Sequence, residues 1–221
     1  MEKPRRIEEG VYRVQLVLSE SLENERRELE LFLLGAQKRI VNFSELHGWK
    51  DLTRESFFDL AEIYDRKEAF DRALAKVAGA SVQIEFPKTY SAALENRVLM
   101  AVSPILYSEN YPEGIEKNSY EKLLAHEIAH RLHIRILKGN EDTMGPIWFF
   151  EGFAIYAADQ FSQDKSPLES AEIQSIISAS TRTSYRKYGI LFRYLIKKVS
   201  VEELIEHAGK ADFESWLQEI I

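Results

Sequence analysis

The order of hydrophobic patterns along this chain predicts an α+β fold. Alternating apolar residues, which are typical of β-strands, fall in the first half, and apolar residues at helical spacing fill the second half. No repeat, low-complexity tract or linker divides the 221 residues, and 45% of them are hydrophobic, enough for a real core. We predict one domain over residues 11–221, with a small mixed sheet and helices in residues 11–117, a central helix, and an all-helical half over residues 118–221.

The N-terminal segment begins with charges and continues with one strand and one long helix. Residues 1–10 carry charges of both signs, and we expect a loose, flexible tail there. Val11 to Leu18 alternates apolar and polar residues, which predicts a strand. Ser19 or Ser21 then caps a helix that ends before Gly48. The predicted buried face of this helix comprises Leu22, Leu29, Phe32, Leu33, Ala36, Ile40 and Phe43.

The next segments predict the remainder of the sheet. Ser56 to Tyr64 is apolar on both faces, and we favour a strand over a helix. Arg66 to Val77 is predicted to be a short helix that Gly79 closes. Ser81 to Phe86 and Val98 to Val102 are predicted strands that end near prolines.

The helical half follows a turn-rich segment. Asn118 or Ser119 provides an N-cap for the central helix, which extends over Tyr120 to Lys138, and a polar connection follows. Five further helices are predicted over Ile147 to Phe161, Leu168 to Ser180, Tyr185 to Val199, Val201 to His207, and Asp212 to Ile220.

Composition excludes several kinds of partner and site. The net charge is −7 and the basic residues are scattered, which argues against nucleic-acid binding. With no cysteine, the chain forms neither disulfides nor thiolate metal sites. The apolar run Val14 to Leu18 is too short for a signal peptide, and no stretch approaches the ~20 apolar residues of a membrane span. We therefore expect a cytoplasmic protein that binds no membrane; its oligomeric state stays open.

His126, Glu127 and His130 form an H-E-x-x-H motif on the central helix. Two histidines four residues apart project from one helix face, at the spacing that one Zn²⁺ ion requires. The glutamate between them lies beside such a metal, where a carboxylate can take a proton from a zinc-bound water. The alternative is a pair of core histidines satisfied by their neighbours, although buried ionisable groups are costly without partners.

A catalytic zinc site needs a third protein ligand besides an open position for water. His133 lies on roughly the same helix face as the two histidines, but three ligands on one straight helix do not easily complete a tetrahedron. We interpret His133 as a packing residue or as a neighbour of the ligands. Glu151 is the better candidate because it lies among aromatic residues, where a carboxylate needs a partner.

The segments H-E-I-A-H and P-I-W-F-F-E-G-F-A-I-Y together resemble the gluzincin metallopeptidases, in particular the aminopeptidase N-like and peptidase MA-like group. That group has a second motif close to P-x-W-x-x-E-G-x-A-x-Y. The resemblance implies a thermolysin-like zincin domain with Glu151 as the third zinc ligand. A metzincin would need glycine and histidine where this chain has His133 and Ile136. Thermolysin-like chains carry an aspartate four residues after the glutamate ligand, where this chain has Ile155.

Two further segments resemble the same family. Y-R-K-Y-G-I-L-F-R-Y-L is similar to the family's Y-E-K-G-x-x-L-L-x-Y-L, which implies that Tyr185 hydrogen-bonds the oxyanion; alignment on Gly189 would give Tyr188 that role instead. The segment Ala92 to Asn96 is similar to a diverged G-x-M-E-N, which implies that Glu95 binds the free amino terminus of a substrate. Alternatively, this segment is a turn before the edge strand.

The resemblance implies a zinc-dependent metallopeptidase that acts on a peptide or protein. His126, His130 and Glu151 would hold Zn²⁺, and Glu127 would be the general base for a zinc-activated water. Val98 to Val102, as an edge strand, would pair with an extended substrate. Cleavage at the amino terminus and internal cleavage both stay open. The alternative function is a catalytically silent or latent zincin-fold protein with a binding or regulatory role.

Overall fold

The structure, a computed structural model, describes residues 3–79 and 86–221, and its architecture is α+β. The chain divides into two compact units, Met1–Ile128 and Ala129–Ile221. The sequence places the border of the helical half at residue 118, ahead of the central helix. The division instead falls inside that helix, which contributes residues to both units.

The predicted flexible tail is wrong over four of its ten residues. Arg5–Glu8 forms strand β1, which pairs antiparallel with β2, Val11–Arg13. Gly10 has φ +74°, which allows the chain to turn back between the two strands. All four side chains of β1 are exposed, so the strand has no apolar alternation that a sequence pattern could show.

The predicted strand Val11 to Leu18 is divided between two sheets. Its first part is β2, and its second part, β3 (Gln15–Leu18), belongs to a four-stranded sheet. The other members are β4 (Leu60–Tyr64), β5 (Ala92–Glu95) and β6 (Val98–Val102). The order is β3-β4-β6-β5, with β5 antiparallel to β6 and the other pairs parallel. The small mixed sheet is therefore confirmed.

Two strand predictions and one strand that the sequence does not predict need comment. β6 lies between β4 and β5, so Val98 to Val102 is not an edge strand. Within the described residues, β3 and β5 are the two edge strands of this sheet, and β5 is the edge strand next to β6. The sequence does not predict β5, since four residues with two alanines give little β-propensity. The predicted strand Ser81 to Phe86 lies outside the described residues, apart from Phe86, which is not in a strand.

In its described residues, the first unit contains three complete α-helices and the start of the central one. The predicted helix after Ser19 begins as a 3-10 helix, Glu20–Glu25, and continues as α1, Arg26–Leu46. α2 is Lys67–Val77, within one residue of the prediction. α3, Pro104–Asn110, falls in the segment that we predict as turns. The hydroxyl of Ser103 accepts the backbone N–H of Leu106 at 3.3 Å and caps α3.

The side chain of Gln37 attaches α1 to β2. This buried amide accepts the backbone N–H of Tyr12 at 3.0 Å and donates to the carbonyl of the same residue at 2.8 Å. It satisfies the hydrogen bonds of Tyr12 as a neighbouring strand would. A polar residue is thereby accommodated on the buried face of α1.

The central helix, α4, is Ser119–Ile136. The Tyr120 hydroxyl donates to the carbonyl of Val102 at 2.7 Å and links the start of α4 to the end of β6. Leu124, Ala125 and Ile128 are fully buried, as the apolar sequence of this helix predicts. α4 is therefore a core helix, and polar side chains on it need local partners.

The second unit is helical, as predicted. Its helices are α5 (Ile147–Ala157), α6 (Ser170–Ile177), α7 (Tyr185–Leu195), α8 (Val201–Ala208) and α9 (Phe213–Ile220). Among the described helices of the chain, none combines the length and the apolar character needed to cross a membrane.

α5 and α7 pack closely at two glycines. A Cβ atom on Gly189 would lie 2.6 Å from Cγ2 of Ile155, and one on Gly152 would lie 3.1 Å from the carbonyl oxygen of Tyr188. Only glycine permits this approach without displacement of a neighbour. Since Glu151 directly precedes Gly152, the same contact fixes the backbone that carries Glu151.

Candidate metal centre

The two histidines of the H-E-x-x-H motif lie one turn apart on α4. His126 is buried, with 5% of its surface exposed, while Glu127 and His130 are partly exposed. The helical spacing brings both imidazoles to one side of α4, as the sequence predicts.

Glu151 is a buried carboxylate on the first turns of α5. Pro146 precedes the helix, and Trp148, Phe149 and Phe153 around Glu151 are buried. Only 2% of the surface of Glu151 is exposed. Its Oε2 atom lies 3.6 Å from Nε2 of His130, so the carboxylate faces the imidazole rather than solvent.

His126, His130 and Glu151 form a group that could bind a metal ion. Each offers one ligand atom, and these atoms all lie within 4.8 Å of one another. In a tetrahedral zinc site with bonds of about 2.0–2.1 Å, ligand atoms are roughly 3.3 Å apart. The separation of 3.6 Å between His130 and Glu151 is close to this value. Two nitrogens and one oxygen also form a donor set that zinc accepts.

Arg182 is a partner of Glu151 that sequence reasoning missed. Its Nε and Nη2 atoms both donate to Oε1 of Glu151, at 3.2 and 3.1 Å. The buried carboxylate predicts a partner, but nothing in the sequence assigns that role to Arg182. It lies in the polar segment S-A-S-T-R-T-S, and only the folded chain brings it back to α5.

His133 is buried next to the candidate metal ligands and is not part of their group. It is fully buried, and the rings of Phe149 and Phe153 lie 5.9 and 4.6 Å from its ring. Burial, together with the nearby His130, lowers the pKa of His133 to about 3. Neither ring nitrogen hydrogen-bonds to another described residue. His133 is therefore a neutral packing residue.

The two candidate tyrosines have different environments. The hydroxyl of Tyr188 is buried and accepts the backbone N–H of Thr183 at 2.6 Å, so it supports the loop before α7. Tyr185 begins α7 directly after its N-cap, Ser184, and is partly exposed. These surroundings favour Tyr185 for contact with a substrate, and that role stays a prediction.

Glu95 is exposed at the end of β5, where the chain turns into β6. Asn96 and Arg97 form the turn with φ of 47° and 63°. The Arg97 guanidinium binds Asp59 through two bonds of 2.7 and 2.6 Å, and it lowers the pKa of that carboxyl. The segment is thus a strand and a tight turn, and amine binding by Glu95 stays a prediction.

Comparison of the chain with protein-family models, with curated proteins and with solved structures gives no match. A functional proposal for this protein therefore depends on its own residues, above all on His126, His130 and Glu151.

Proposed function

We propose that the protein is a zinc-dependent metallopeptidase with a thermolysin-like zincin domain, of the gluzincin type found in aminopeptidase N-like and peptidase MA-like chains. The observation that carries this proposal is the group of ligand atoms on His126, His130 and Glu151, all within 4.8 Å of one another. The resemblance of the two sequence motifs around these residues supports it independently of the geometry. The cysteine-free composition fits a cytoplasmic location.

Zinc at this site would supply a Lewis acid that lowers the pKa of water and polarises a peptide carbonyl. The residues of the chain determine the charge of the site. Two neutral imidazoles and one carboxylate leave a divalent ion with a net positive charge, which favours both effects. The aromatic residues around Glu151 limit solvent access from that side.

Glu127 is the proposed general base. It follows His126 on α4 and is partly exposed, so its carboxylate can accept a proton from water and return it to the leaving amine. Tyr185 is the proposed donor to the oxyanion, because a hydroxyl directed at the developing charge stabilises the transition state. Neither residue is needed to hold the metal.

The substrate is proposed to be a peptide in extended conformation. Because β6 is an inner strand, β5 takes its place as the strand that would pair with the peptide backbone. Glu95 lies at the end of β5, where a carboxylate could bind the free amino group of a substrate.

Replacement of Glu127 by glutamine tests the proposal. We expect Glu127→Gln to keep the zinc content of the wild type and to lose peptide cleavage by a factor on the order of 10²–10⁴. Elemental analysis and a broad peptide library give the two readouts. Glu141→Gln is a matched control, since the Glu141 side chain is 62% exposed and lies outside the ligand group. Wild-type protein that holds zinc and cleaves nothing would support the silent or latent binding protein instead.

The position of cleavage needs a second experiment. One peptide is tested with a free and with an acetylated amino terminus. If Glu95 binds the amine, acetylation abolishes cleavage and Glu95→Gln weakens binding of the free peptide. Equal cleavage of both peptides would show internal cleavage and would exclude amine recognition by Glu95.

A further inference from the structure

We propose that Arg182 is a positioning residue for the metal centre, which holds the Glu151 carboxylate in its ligating orientation and thereby increases zinc affinity. This inference rests on the zinc site of the proposed function. The sequence motifs do not include Arg182, and the resemblance assigns it no role.

The contacts of Glu151 divide its two oxygen atoms between different partners. Nε and Nη2 of Arg182 both converge on Oε1, at 3.2 and 3.1 Å. Oε2 lies 3.6 Å from Nε2 of His130, on the side of the metal ligands. Arg182 therefore occupies the oxygen that a monodentate metal ligand does not use. Two donors on one oxygen restrict rotation of the carboxylate and leave Oε2 directed at the ligand group.

Burial makes this partner important for Glu151. A carboxylate with 2% of its surface exposed has little contact with water and needs a protein partner. The two donors of Arg182 provide such a partner and hold the carboxylate in its ligating orientation in the metal-free protein, so less ordering is left for metal binding.

Arg182 also exerts an opposing effect, because its charge repels a divalent cation. Its side chain is 54% exposed, so solvent and salt screen this repulsion. Loss of a residue that orients a ligand typically lowers metal affinity 10–100-fold. We expect the orienting effect to exceed the repulsion.

The chain around Arg182 keeps the guanidinium in place. The backbone N–H of Thr183 donates to the buried hydroxyl of Tyr188, and the hydroxyl of Ser184 accepts the N–H of Lys187 at 3.4 Å at the start of α7. The two residues that follow Arg182 are thus fixed to α7. α7 packs closely on α5, which carries Glu151, so the position of Arg182 relative to Glu151 depends on helix packing.

The test measures zinc affinity, by competition with a chromophoric chelator, separately from peptidase activity. We expect Arg182→Met to bind zinc about 10–100-fold more weakly than the wild type. Arg182→Lys should lose less affinity than Arg182→Met, since lysine keeps the charge, although it lacks the two donors that converge on Oε1. Arg186→Met is the matched control, because Arg186 forms an exposed ion pair with Asp164 at 3.1 Å. The zinc affinity of this variant should stay within about threefold of the wild type.

Unfolding of the metal-free proteins in urea separates positioning from general stability. A positioning role predicts that Arg182→Met loses affinity in protein that is still folded. Zinc affinity equal to or greater than that of the wild type in this variant would overturn the inference. If zinc binding depends on Arg182 but the protein cleaves no peptide, the inference on Arg182 stands and the proposal of a peptidase is refuted. Wild-type protein that binds no zinc would refute both.

Discussion

At the scale of single residues, His133 is held neutral by its surroundings. Its pKa in the folded protein is about 3, against 6.5 for an unperturbed histidine. Between these values the unfolded chain binds a proton that the folded chain does not, so the free energy of unfolding decreases as the pH falls from about 6.5 towards 3. Above about pH 6.5 the residue makes no contribution to the pH dependence.

We expect His133→Leu to reduce this acid sensitivity. Wild-type stability should fall relative to the variant by up to about 1.4 kcal/mol per pH unit below about pH 6.5. At pH 7.5 the variant should be as stable as the wild type or more so, because two buried nitrogens without partners are removed. Urea unfolding of the two metal-free proteins at pH 7.5, 5.5 and 4.5 gives their free energies of unfolding and so checks both expectations. Parallel pH profiles for the two proteins would contradict the burial of a neutral imidazole.

The three candidate metal ligands show what local sequence can and cannot predict. His126 and His130 share one helix, so their spacing alone predicts that they project together. The sequence also identifies Glu151 as a buried carboxylate, because aromatic neighbours surround it. Arg182 was not predictable, since a polar loop has no periodicity and the contact with Glu151 exists only after α5 and α7 have packed.

At the scale of elements, the contact between α5 and α7 depends on Gly189. An alanine there would improve helix propensity by about 1 kcal/mol, but its Cβ would lie 2.6 Å from Cγ2 of the buried Ile155. We expect Gly189→Ala to destabilise the protein by about 1–3 kcal/mol through overpacking. Urea unfolding measures the change.

A double-mutant cycle identifies the cause of this destabilisation. Ile155→Ala removes the atom that the new methyl group would meet, although it leaves a cavity of its own. In the Ile155→Ala background, Gly189→Ala should be neutral or stabilising. Equal destabilisation in both backgrounds would show that the two helices do not meet at this pair.

The attachment of β2 to α1 depends on the Gln37 amide. Replacement by leucine leaves the backbone N–H and carbonyl of Tyr12 without this partner, and each buried unsatisfied group costs about 1–3 kcal/mol. We therefore expect Gln37→Leu to lower the free energy of unfolding by about 2 kcal/mol or more. Asn42→Leu, at an exposed position of the same helix, should change it by no more than about 0.5 kcal/mol. Similar effects of the two substitutions would contradict the role of Gln37.

Elements with a strong pattern of their own are predicted well, and short ones are not. α2 and β6 match the predicted segments to within one residue because their apolar spacing is regular. β5 has four residues and α3 has seven, so neither repeats its pattern long enough to be recognised. The Ser103-Pro104 pair was an available signal for the start of α3.

At the scale of the whole molecule, zinc should stabilise the native state, since the ligands come together only in the folded chain. At a free zinc concentration 100 times the dissociation constant, the expected gain is about 2.7 kcal/mol. Thermal unfolding with zinc and with a chelator measures the difference. His126→Ala should lose the zinc-dependent shift, whereas His133→Leu should retain it. An equal shift in His126→Ala would place the bound zinc elsewhere.

The α+β class follows from the sequence, whereas the order of the strands does not. Parallel pairing of β3 with β4 and of β4 with β6 joins segments separated by a long helix or by many residues. Such contacts depend on tertiary packing, which hydrophobic periodicity does not encode. For the same reason β6 could not be recognised as an inner strand.

The position of the division between the compact units matters when the protein is expressed as two fragments. A cut between Ile128 and Ala129 separates His126 from His130, so neither fragment alone inherits both imidazoles. Co-expressed fragments would regain the pair only by re-forming a continuous α4 across the break. With the zinc site proposed above, reassembly of fragments cut at this peptide bond would be detected as recovered zinc binding.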